Sequence, residues 1–389
     1  MKIIHLIENL DDTYGGPAKS VPYLCKYLND LGIETEILSI KYHENERNSI
    51  VEKYGLSWKS FKYDFIKKLR YSKNLKQYLE NEVKKRDDII LHTHNLWNYI
   101  PYVASQISSK YNIPLVVAIR GSLYPWSLSQ GKLQKQIAWR LFQEKMLQKS
   151  MIIHTTEKNE LLAVKELGIN THTEIIPNGV EFSEFDNMRD KQTSKKILNL
   201  KQNKKYIFFI SRLHPKKGLE FLINAWVKLA TIYKDWDLLI VGPEYDKEYI
   251  ENIKDVIKKE NLEDRVVFTD MLEGEKRVAA FGASDLFVLP SHTENFGIAI
   301  AEAMVAQLPV VTTKGTPWQE IEENDAGWWV ELTQENINKV LEEALSCSDE
   351  ELKQKGLNGF ELIQNYKWEY QAKRMKEVYE NINHNSSLE

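Results

Sequence analysis

The chain has 389 residues with 42% hydrophobic and 11% aromatic side chains, enough to bury the cores of two or three domains. Its net charge of −4 lacks the basic excess of nucleic-acid-binding proteins, and no nucleic-acid partner is expected. The two cysteines, Cys25 and Cys347, are too few for a disulfide framework or a cysteine metal cluster. No apolar run approaches the ~20 residues of a membrane-spanning helix, and the run at 3–7 is too short for a signal peptide. We therefore expect a cytoplasmic protein with reduced thiols.

The first half of the chain alternates short apolar runs with helical stretches. Residues 2–8 predict a buried strand, and a loop containing Gly15 and Gly16 leads to Pro17, which suits the first position of a helix. Further strands are predicted at 35–40, 88–92, 115–119, 152–155 and 173–177. Such alternation indicates an α/β domain with a doubly wound parallel sheet. The two glycines permit close approach of the backbone to a ligand, although loops also use Gly-Gly freely.

Residues 58–86 form an unusually basic segment. It holds ten Lys and Arg side chains against three acidic ones, a net charge of +7, with aromatic residues interleaved. Residues 131–149 add a net charge of +4. Basic stretches with aromatics can rest on an anionic membrane surface or hold an acidic acceptor, so peripheral contact with the inner face of the membrane through residues 58–86 is one hypothesis. Ordinary surface helices with lysine-rich solvent faces are the alternative.

Two histidines, His92 and His94, stand at the end of the predicted strand IILHTH. We expect one ring to enter the packing of the sheet and the other to face the ligand side. The His-X-His spacing could also suggest a metal, but no cysteine or carboxylate cluster lies beside it in the sequence, which argues against zinc. A buried, hydrogen-bonded histidine is the alternative at either position.

The pattern changes after residue 177. A turn at 177–179 is followed by a polar stretch, rich in Lys and Asn, that runs to residue 205. We place the first domain at 1–180, a linker at 181–204 and a second domain at 205–365. The segment 366–389 predicts a last helix that crosses back to the first domain.

The second half repeats the alternation, with strands predicted at 206–210, 238–241, 266–268, 286–289, 310–312 and 328–330. Arg212 follows the first of these strands, and Lys217 precedes a helix. Arg supplies a bidentate fork for phosphate and Lys a point charge, so the pair predicts a phosphate clamp, although loop lysines are usually just solvated. Asp235 and Asp237 match the D-X-D of many metal-dependent sugar transferases. Because they precede their strand, we interpret them as a turn.

Residues 284–311 predict a buried strand, a polar loop and a helix. Glu294 lies in the loop and Glu302 on the helix. Eight residues of continuous helix span ~12 Å, more than the roughly 5–5.5 Å of a retaining glycosidase pair, so the two carboxylates would address different parts of one ligand. The amides of Asn295, Phe296 and Gly297 at the helix start suit an anionic phosphate. Two solvated surface glutamates are the alternative.

Arg212 and Lys217 in SRLHPKKG, followed by Glu294 and Glu302 in ENFGIAIAE, resemble the paired signatures of the retaining glycosyltransferases of family 4. The Gly-Gly-Pro loop and the strand end at His94 resemble that family more weakly. The resemblance covers nearly the whole chain. It implies the GT-B architecture, in which two Rossmann-like domains with doubly wound parallel sheets face a cleft, and a nucleotide-diphosphate sugar as the donor.

The resemblance also implies roles for the matching residues of the second domain. Arg212 and Lys217 would neutralise the donor diphosphate as it leaves. Glu302 would accept hydrogen bonds from the ribose hydroxyls, a task suited to a carboxylate. Glu294 and the amides at the start of its helix would hold the transferring sugar and phosphate.

In the first domain, the resemblance implies that Gly16, beside Gly15, lets the backbone approach the phosphates, and that His94 faces the acceptor side of the cleft. The family generally works without a divalent metal, so neither a metal nor another cofactor is expected.

Two positions depart from the family pattern. Many relatives have His-Gly where this chain has Arg120-Gly121, and the form Arg-Gly-X-Leu-X-Pro-Trp resembles a subgroup concerned with surface polysaccharides. Arg120 could contact a donor or an acceptor phosphate. Asp270 replaces a glycine usual near the base, which leaves the choice between uridine and guanosine donors open.

These features predict a retaining hexosyltransferase that moves a sugar from a UDP- or GDP-sugar to a saccharide or lipid-linked saccharide in surface polysaccharide biosynthesis. A sugar-nucleotide epimerase or hydrolase with the GT-B fold is one alternative. A catalytically inactive subunit that binds nucleotide sugar is another, although a complete phosphate clamp argues against it. The sequence leaves the sugar, the linkage and the acceptor open.

Overall fold

A computed structural model describes residues 1–64 and 70–386 of the chain. These residues form two compact units, one comprising Met1–Gly179 with the segment from Tyr366 onward, and the other comprising Val180–Asn365. Residues 65–69, which belong to the predicted membrane-contact segment, and residues 387–389 lie outside the described part.

The first unit is built on a parallel sheet in the order β3-β2-β1-β4-β5-β6-β7. Its central strands β1 and β4 are buried along their whole length, as expected for strands covered on both faces. The strands are β1 (Lys2–Ile7), β2 (Glu34–Lys41), β3 (Trp58–Lys62), β4 (Ile89–His94), β5 (Leu115–Ala118), β6 (Ile152–Thr155) and β7 (Thr173–Ile175).

Helices cover both faces of this sheet, and each face carries an apolar core. Helix α1 begins at Gly16 with Pro17 in its first turn, as predicted. The helices before the domain boundary are α1 (Gly16–Asp30), α2 (Ser49–Tyr54), α3 (Lys73–Val83), α4 (Tyr99–Tyr111), α5 (Pro125–Ser129), α6 (Lys132–Ala138), α7 (Glu144–Lys149) and α8 (Lys158–Glu166).

The second unit is built on a parallel sheet in the order β10-β9-β8-β11-β12-β13. Its strands are β8 (Lys205–Ile210), β9 (Trp236–Val241), β10 (Val266–Thr269), β11 (Leu286–Leu289), β12 (Val310–Thr313) and β13 (Gly327–Val330). Its helices are α9 (Lys191–Ile197), α10 (Leu219–Leu229), α11 (Lys247–Lys259), α12 (Gly274–Gly282), α13 (Ile298–Val305), α14 (Glu320–Glu323), α15 (Gln334–Ser346) and α16 (Asp349–Ile363).

The last helix, α17 (Trp368–Ser386), packs against α1 in the first unit. Its buried side chains Trp368 and Tyr379 join the core that contains Tyr23. Gly179 allows this docking, because a Cβ there would lie 2.3 Å from the ring of Trp368.

The predicted fold class is confirmed: the chain contains two Rossmann-like α/β domains with parallel sheets. The predicted linker 181–204 is wrong, because it contains α9 and belongs to the second unit. Lys191 of α9 pairs with Asp285 at 2.5 Å, and the buried Ser194 lies against Gly282 of α12. A polar composition concealed a helix that packs mainly through small and charged side chains.

Two further elements differ from expectation. The edge strand β3 was not predicted, because its pattern WKSFK is only partly buried and lacks the apolar run of the other strands. Asp237 lies inside β9 rather than in a turn, where it is 1% exposed and pairs with Arg265 at 2.5 Å. No helix among the described residues has both the length and the apolar character needed to cross a membrane.

Candidate functional site

Each sheet reverses its strand order once near its centre, between β1 and β4 in the first unit and between β8 and β11 in the second. Loops at the carboxyl ends of parallel strands diverge at such a point and leave a crevice that commonly holds ligands. The predicted residues Gly15, Gly16 and His94 follow or end strands at the first reversal, and Arg212, Lys217 and Glu294 follow strands at the second.

In the second unit the loops after β8 and β11 are tied together by their backbones. His292 donates its backbone N–H to the carbonyl of Lys216 at 2.9 Å. Gly218 lies so close to Pro290 that a Cβ would stand 2.0 Å from the Pro290 carbonyl oxygen, and its φ of +67° also favours glycine. This contact places the two predicted motifs side by side.

The side chains of these loops form a polar cluster. The Lys217 ammonium donates to Glu294 Oε1 at 2.5 Å, and the Ser291 hydroxyl donates to the same oxygen at 2.7 Å. Burial favours the neutral form of Glu294, but the attraction of Lys217, helped by Lys216 and Ser291, outweighs it and lowers the pKa of Glu294. The carboxylate is therefore ionised at neutral pH.

Positive charge concentrates around this pair. Burial lowers the pKa of Lys216, and repulsion from Lys217 and Arg212 lowers it further, although Glu294 opposes the shift. Arg212 itself is exposed, with its guanidinium 5.4 Å from the centre of the Tyr245 ring. Three cations thus converge at the carboxyl end of β8, where a phosphate could replace a carboxylate as their partner.

Glu302 lies on α13 and has different partners from Glu294. Its side chain is 3% exposed and forms an ion pair with Arg277 of α12, which also contacts Glu184 at 3.2 Å. Arg277 was not predicted, because one arginine on an amphipathic helix gives no signal in the sequence. The separate surroundings of the two glutamates agree with the expectation that they address different parts of a ligand.

Trp318 fixes the loop before α13. Trp318 donates its indole N–H to the Phe296 carbonyl at 2.5 Å, and Phe296 itself is 4% exposed. Gly297 caps the helix with a φ of +76°. Asn295 is half-buried beside them. A phosphate at these amides remains a prediction.

In the first unit an unpredicted carboxylate, Glu8, follows β1 at the reversal. It accepts hydrogen bonds from Tyr42 at 2.6 Å, Tyr14 at 2.8 Å and Asn98 at 3.1 Å, and it pairs with Arg70. Its position directly after an apolar strand could have identified it, by the argument used for Arg212. Glu8 orders the loop that leads to Gly15, whose φ is +108°, and to Gly16 at the start of α1.

Four buried histidines lie beside Arg120 in this unit. His5, His92 and His94 are 0% exposed and His154 is 4% exposed. The prediction that His92 and His94 point to opposite faces is wrong, because residues two apart on a strand share a face, and their ring centres are 4.4 Å apart. The prediction that His94 faces an acceptor is also wrong, since its ring is fully buried and both nitrogens have partners.

The hydrogen bonds around His94 form one directed chain. Arg120 donates to Asn178 Oδ1 at 2.5 Å and to His94 Nδ1 at 3.3 Å, so the proton of neutral His94 lies on Nε2. That nitrogen donates to His5 Nδ1 at 3.0 Å. The remaining N–H of His5, at Nε2, is buried and has no hydrogen-bond partner among the described residues.

A second chain begins at α17. The Tyr379 hydroxyl donates to His92 Nδ1 at 2.6 Å, His92 Nε2 donates to His154 Nδ1 at 3.3 Å, and His154 Nε2 donates to the Ile176 carbonyl at 2.8 Å. Every ring in the two chains is neutral, because burial lowers all four pKa values. For His5 and His154, burial and then the charge of Arg120 lower the pKa to about 3. For His92 and His94, burial holds the pKa well below its usual range. Burial lowers the pKa of Arg120 only to about 10, so it stays charged.

His5, His92 and His94 offer nitrogen atoms within 4.8 Å of one another, a grouping that could hold a metal ion. Two features oppose that use. Every nitrogen of these three rings except His5 Nε2 already hydrogen-bonds within the two chains. The Arg120 guanidinium, 3.3 Å from His94 Nδ1, would also repel a cation. The sequence could not show this cluster, because His5 and His92 become neighbours only through the pairing of β1 with β4.

The basic segment 58–86 is partly neutralised by ion pairs among the described residues. Five of its cations have carboxylate partners, most of which lie outside the segment. These are Lys59 with Glu36, Lys62 with Glu44, Arg70 with Glu8, Lys85 with Glu82, and Arg86 with both Glu34 and Asp88. The described part of the segment therefore offers fewer unpaired cations for the predicted membrane contact than the sequence suggested.

Comparison with family models agrees with this architecture. Residues 14–184 match the model described as Glycosyltransferase Family 4, and residues 190–361 match the model described as Glycosyl transferases group 1. The solved structure of HepE from Anabaena, in complex with UDP and glucose, superposes with a TM-score of 0.81 at 18% identity, covering 98% of this chain and 100% of that one. At this identity the likeness concerns the fold. The chain is thus of the group 1, family 4 type of GT-B glycosyltransferase.

Sequence relatives support this assignment. The D-inositol 3-phosphate glycosyltransferase of Corynebacterium diphtheriae is 24% identical over 69% of this chain. That alignment spans 65% of the relative, slightly under two thirds of its length. The N-acetyl-alpha-D-glucosaminyl L-malate synthase of Bacillus anthracis is 27% identical over 70% of this chain and 68% of its own.

Proposed function

We propose that this protein transfers a sugar from a nucleotide-diphosphate sugar to a saccharide or lipid-linked saccharide acceptor, with retention of the anomeric configuration, in surface polysaccharide biosynthesis. The observation that carries the proposal is the cluster of Lys217, Glu294 and Ser291 beside Arg212 at the carboxyl end of β8. The family matches of both halves and the names of the relatives support the same class of reaction.

The cluster suits a diphosphate leaving group. When the bond from the sugar to the β-phosphate oxygen breaks, negative charge grows on that oxygen, and Lys217 and Arg212 would stabilise it. Before the donor binds, Glu294 pairs with Lys217 and orients it, so the site need not bury an unpaired cation. On binding, Lys217 would exchange its carboxylate partner for phosphate, and Glu294 would turn to the transferring sugar.

Glu302 would accept the ribose hydroxyls, and Arg277 is the positioning residue for it. Gly15 and Gly16 would let the first domain approach the donor phosphates. No metal or other cofactor is proposed, because the clamp cations already balance the diphosphate.

Binding of UDP and GDP, measured by calorimetry on the wild type and on Lys217→Ala, tests this proposal. We place UDP first, because solved structures with this fold are complexes with UDP and with UDP-glucose. The expected result is binding of one nucleotide diphosphate that weakens at least ten-fold in the variant, since a charge-assisted hydrogen bond contributes about 1.5–3 kcal/mol. Binding of neither nucleotide would overturn the proposal.

Product analysis separates the alternatives. A panel of sugars on the preferred nucleotide, with the anomeric configuration of the product followed by NMR, identifies a retaining transfer. Turnover of the donor without an acceptor would instead indicate an epimerase or a hydrolase. Tight binding without any turnover would indicate an inactive binding subunit.

A further inference from the structure

A helix in the first unit projects apolar side chains away from the core. It runs through α6, a π-helical turn at Trp139–Gln143, and α7. Its second half is anchored by Gln143, Met146 and Leu147, all buried, whereas α6 and the preceding α5 contain no buried residue. The large apolar side chains of α6 therefore do not fill the core.

Leu133, Ile137 and Leu141, called here the apolar stripe, are 70%, 52% and 74% exposed. They follow one another at four-residue steps, so they lie along one side of the helix. The stripe spans ~12 Å. Another exposed apolar side chain is Trp126 of α5, a helix that packs on α6; it is 39% exposed. A contiguous exposed apolar patch of this kind marks an interaction surface.

The same helix carries free positive charge. Lys132, Arg140, Lys145 and Lys149 are exposed, and none has an ion-pair partner among the described residues. This differs from the basic segment 58–86, where five cations are paired with carboxylates. The less basic of the two stretches thus has no ion pair on these four cations, whereas five of the eight described cations of segment 58–86 are paired.

A pocket of about 580 Å³ opens at the end of the stripe. Leu141 lines it, together with Lys145 and Lys149 of this helix, Lys76 of α3 and Lys110 of α4. Of these cations only Lys110 is paired, with Glu80 at 3.2 Å. Such a pocket has the size and charge to receive an anionic headgroup.

We propose that the helix 132–149 docks on an anionic lipid bilayer, with the apolar stripe inserted at the boundary between headgroups and acyl chains and the lysines among the phosphates. An apolar side flanked by Lys and Arg is the pattern of helices that lie in a membrane interface. A second copy of the chain fits less well, because a two-fold contact would face the same cations against one another. The inference does not depend on the sugar-transfer activity.

Cosedimentation with vesicles tests the proposal without any nucleotide or substrate. We compare phosphatidylcholine vesicles with and without phosphatidylglycerol, at low and at physiological salt. The wild type is expected to bind only the anionic vesicles, and more weakly as salt rises, since the Debye length falls to ~8 Å at physiological salt. The variant Leu133→Ser/Ile137→Ser/Leu141→Ser is expected to bind about 10²-fold more weakly.

Matched variants isolate the surface. Leu162→Ser/Ile232→Ser/Val256→Ser removes three other exposed apolar side chains and is expected to bind like the wild type. Changing Lys132, Arg140 and Lys145 to Gln should weaken binding by about five-fold per cation. Changing Lys59, Lys62 and Lys85 to Gln should have little effect. Melting temperatures verify that each variant is folded.

Three results would overturn the proposal. The first is a wild type that does not bind anionic vesicles even at low salt. The second is a stripe variant that binds as well as its matched control. The third is a wild type that self-associates in sedimentation equilibrium but does not bind vesicles, together with a stripe variant that no longer self-associates. That result would assign the stripe to a second copy of the chain.

Discussion

Lys217 and Glu294 make the most consequential contact at the residue scale, because each stabilises the other's charge in a position where a phosphate can replace the carboxylate. Their separation of 2.5 Å follows from the backbone contacts that join the loops after β8 and β11. A surface ion pair would contribute little, but this one is held by rigid strand ends and has limited exposure.

Replacing Lys217 by Ala should lower turnover by about 10²-fold or more, because one donor to the developing charge is lost. The rate is measured at saturating donor. Lys228→Ala, an exposed lysine on α10, is the matched control and should keep the wild-type rate. A near-normal rate for Lys217→Ala would remove this lysine from the site.

Replacing Arg277 by Leu should lower the free energy of unfolding by about 3–5 kcal/mol, because it leaves the buried carboxylate of Glu302 without its ion-pair partner. Urea denaturation measures the effect. The double variant Arg277→Leu/Glu302→Leu should recover most of the loss. Arg189→Leu, from an exposed pair with Glu275, should change the stability by less than about 1 kcal/mol. Equal effects of the two single variants would contradict this account.

At the scale of elements, the first unit depends on contacts that join β1, β4, β6 and α17 through buried polar groups. The two histidine chains tie these elements together at the carboxyl ends of the strands. A network of this kind is stable only while its rings stay neutral, so it connects the stability of the unit to pH.

Stability should therefore fall as pH decreases from 7 to 5. The folded pKa values of His5 and His154 lie at about 3, whereas an unfolded histidine has its pKa near 6.5, so the unfolded state binds more protons between these limits. The contribution is complete above pH ~6.5 and is lost progressively toward pH ~3, by up to about 1.4 kcal/mol per pH unit for each proton.

Urea denaturation at pH 7, 6 and 5 measures this slope. His5→Gln should flatten it, whereas His172→Gln, which changes an exposed histidine on the loop before β7, should leave it unchanged. A slope that is the same in the His5 variant and the wild type would show that the network does not titrate on unfolding.

Replacing Gly179 by Ala should lower stability by about 1–3 kcal/mol, because the new Cβ would lie 2.3 Å from the Trp368 ring and 2.6 Å from its Cα. The backbone of Trp368 cannot move aside as a flexible side chain can. Gly359→Ala is the control, since its Cβ would come closest to the flexible side chain of Met304, at 3.2 Å, and would meet Ala326 only at the ordinary contact distance of 3.6 Å. Thermal melting of both variants measures the difference in stability, and equal melting temperatures would contradict this prediction.

At the scale of the whole molecule, two sheets with the same pattern of strand order each place polar loops at a reversal point. This repetition explains why both halves of the sequence show the same alternation, while each half supplies different chemistry. The second unit holds the residues of the predicted phosphate clamp, and the first holds Glu8 and the buried network around Arg120.

Chelation by EDTA should leave sugar transfer largely intact, because Arg212 and Lys217 would already balance the diphosphate. The transfer rate is measured with and without EDTA, and then after addition of Mg²⁺ or Mn²⁺. Loss of activity on chelation that either ion restores would instead require a metal site. Asp237 is a poor candidate for one, as its carboxylate is buried against Arg265.

The sequence by itself determined the parallel α/β fold and the residues at the strand ends of the second unit. Strand periodicity and the position of a polar residue directly after an apolar run are local properties, so the strands and Arg212 could be placed without coordinates. The roles of Arg212, Lys217, Glu294 and Glu302 come from the resemblance to family signatures and stay predictions. The strand β3 and the helix α9 could not, because neither has the apolar pattern on which such a prediction rests.

Only the tertiary structure decided which charges are free and which histidines meet. The partner of a side chain depends on the order of strands in the sheet, which a local pattern does not contain. The basic segment 58–86 carries the larger net charge, but five of its eight described cations are paired. The helix 132–149 keeps exposed its apolar stripe and four cations that are unpaired within the described part of the chain. For the same reason His94, expected at an open acceptor site, is enclosed with His5 and Arg120, because the pairing of β4 with both β1 and β5 brings them together.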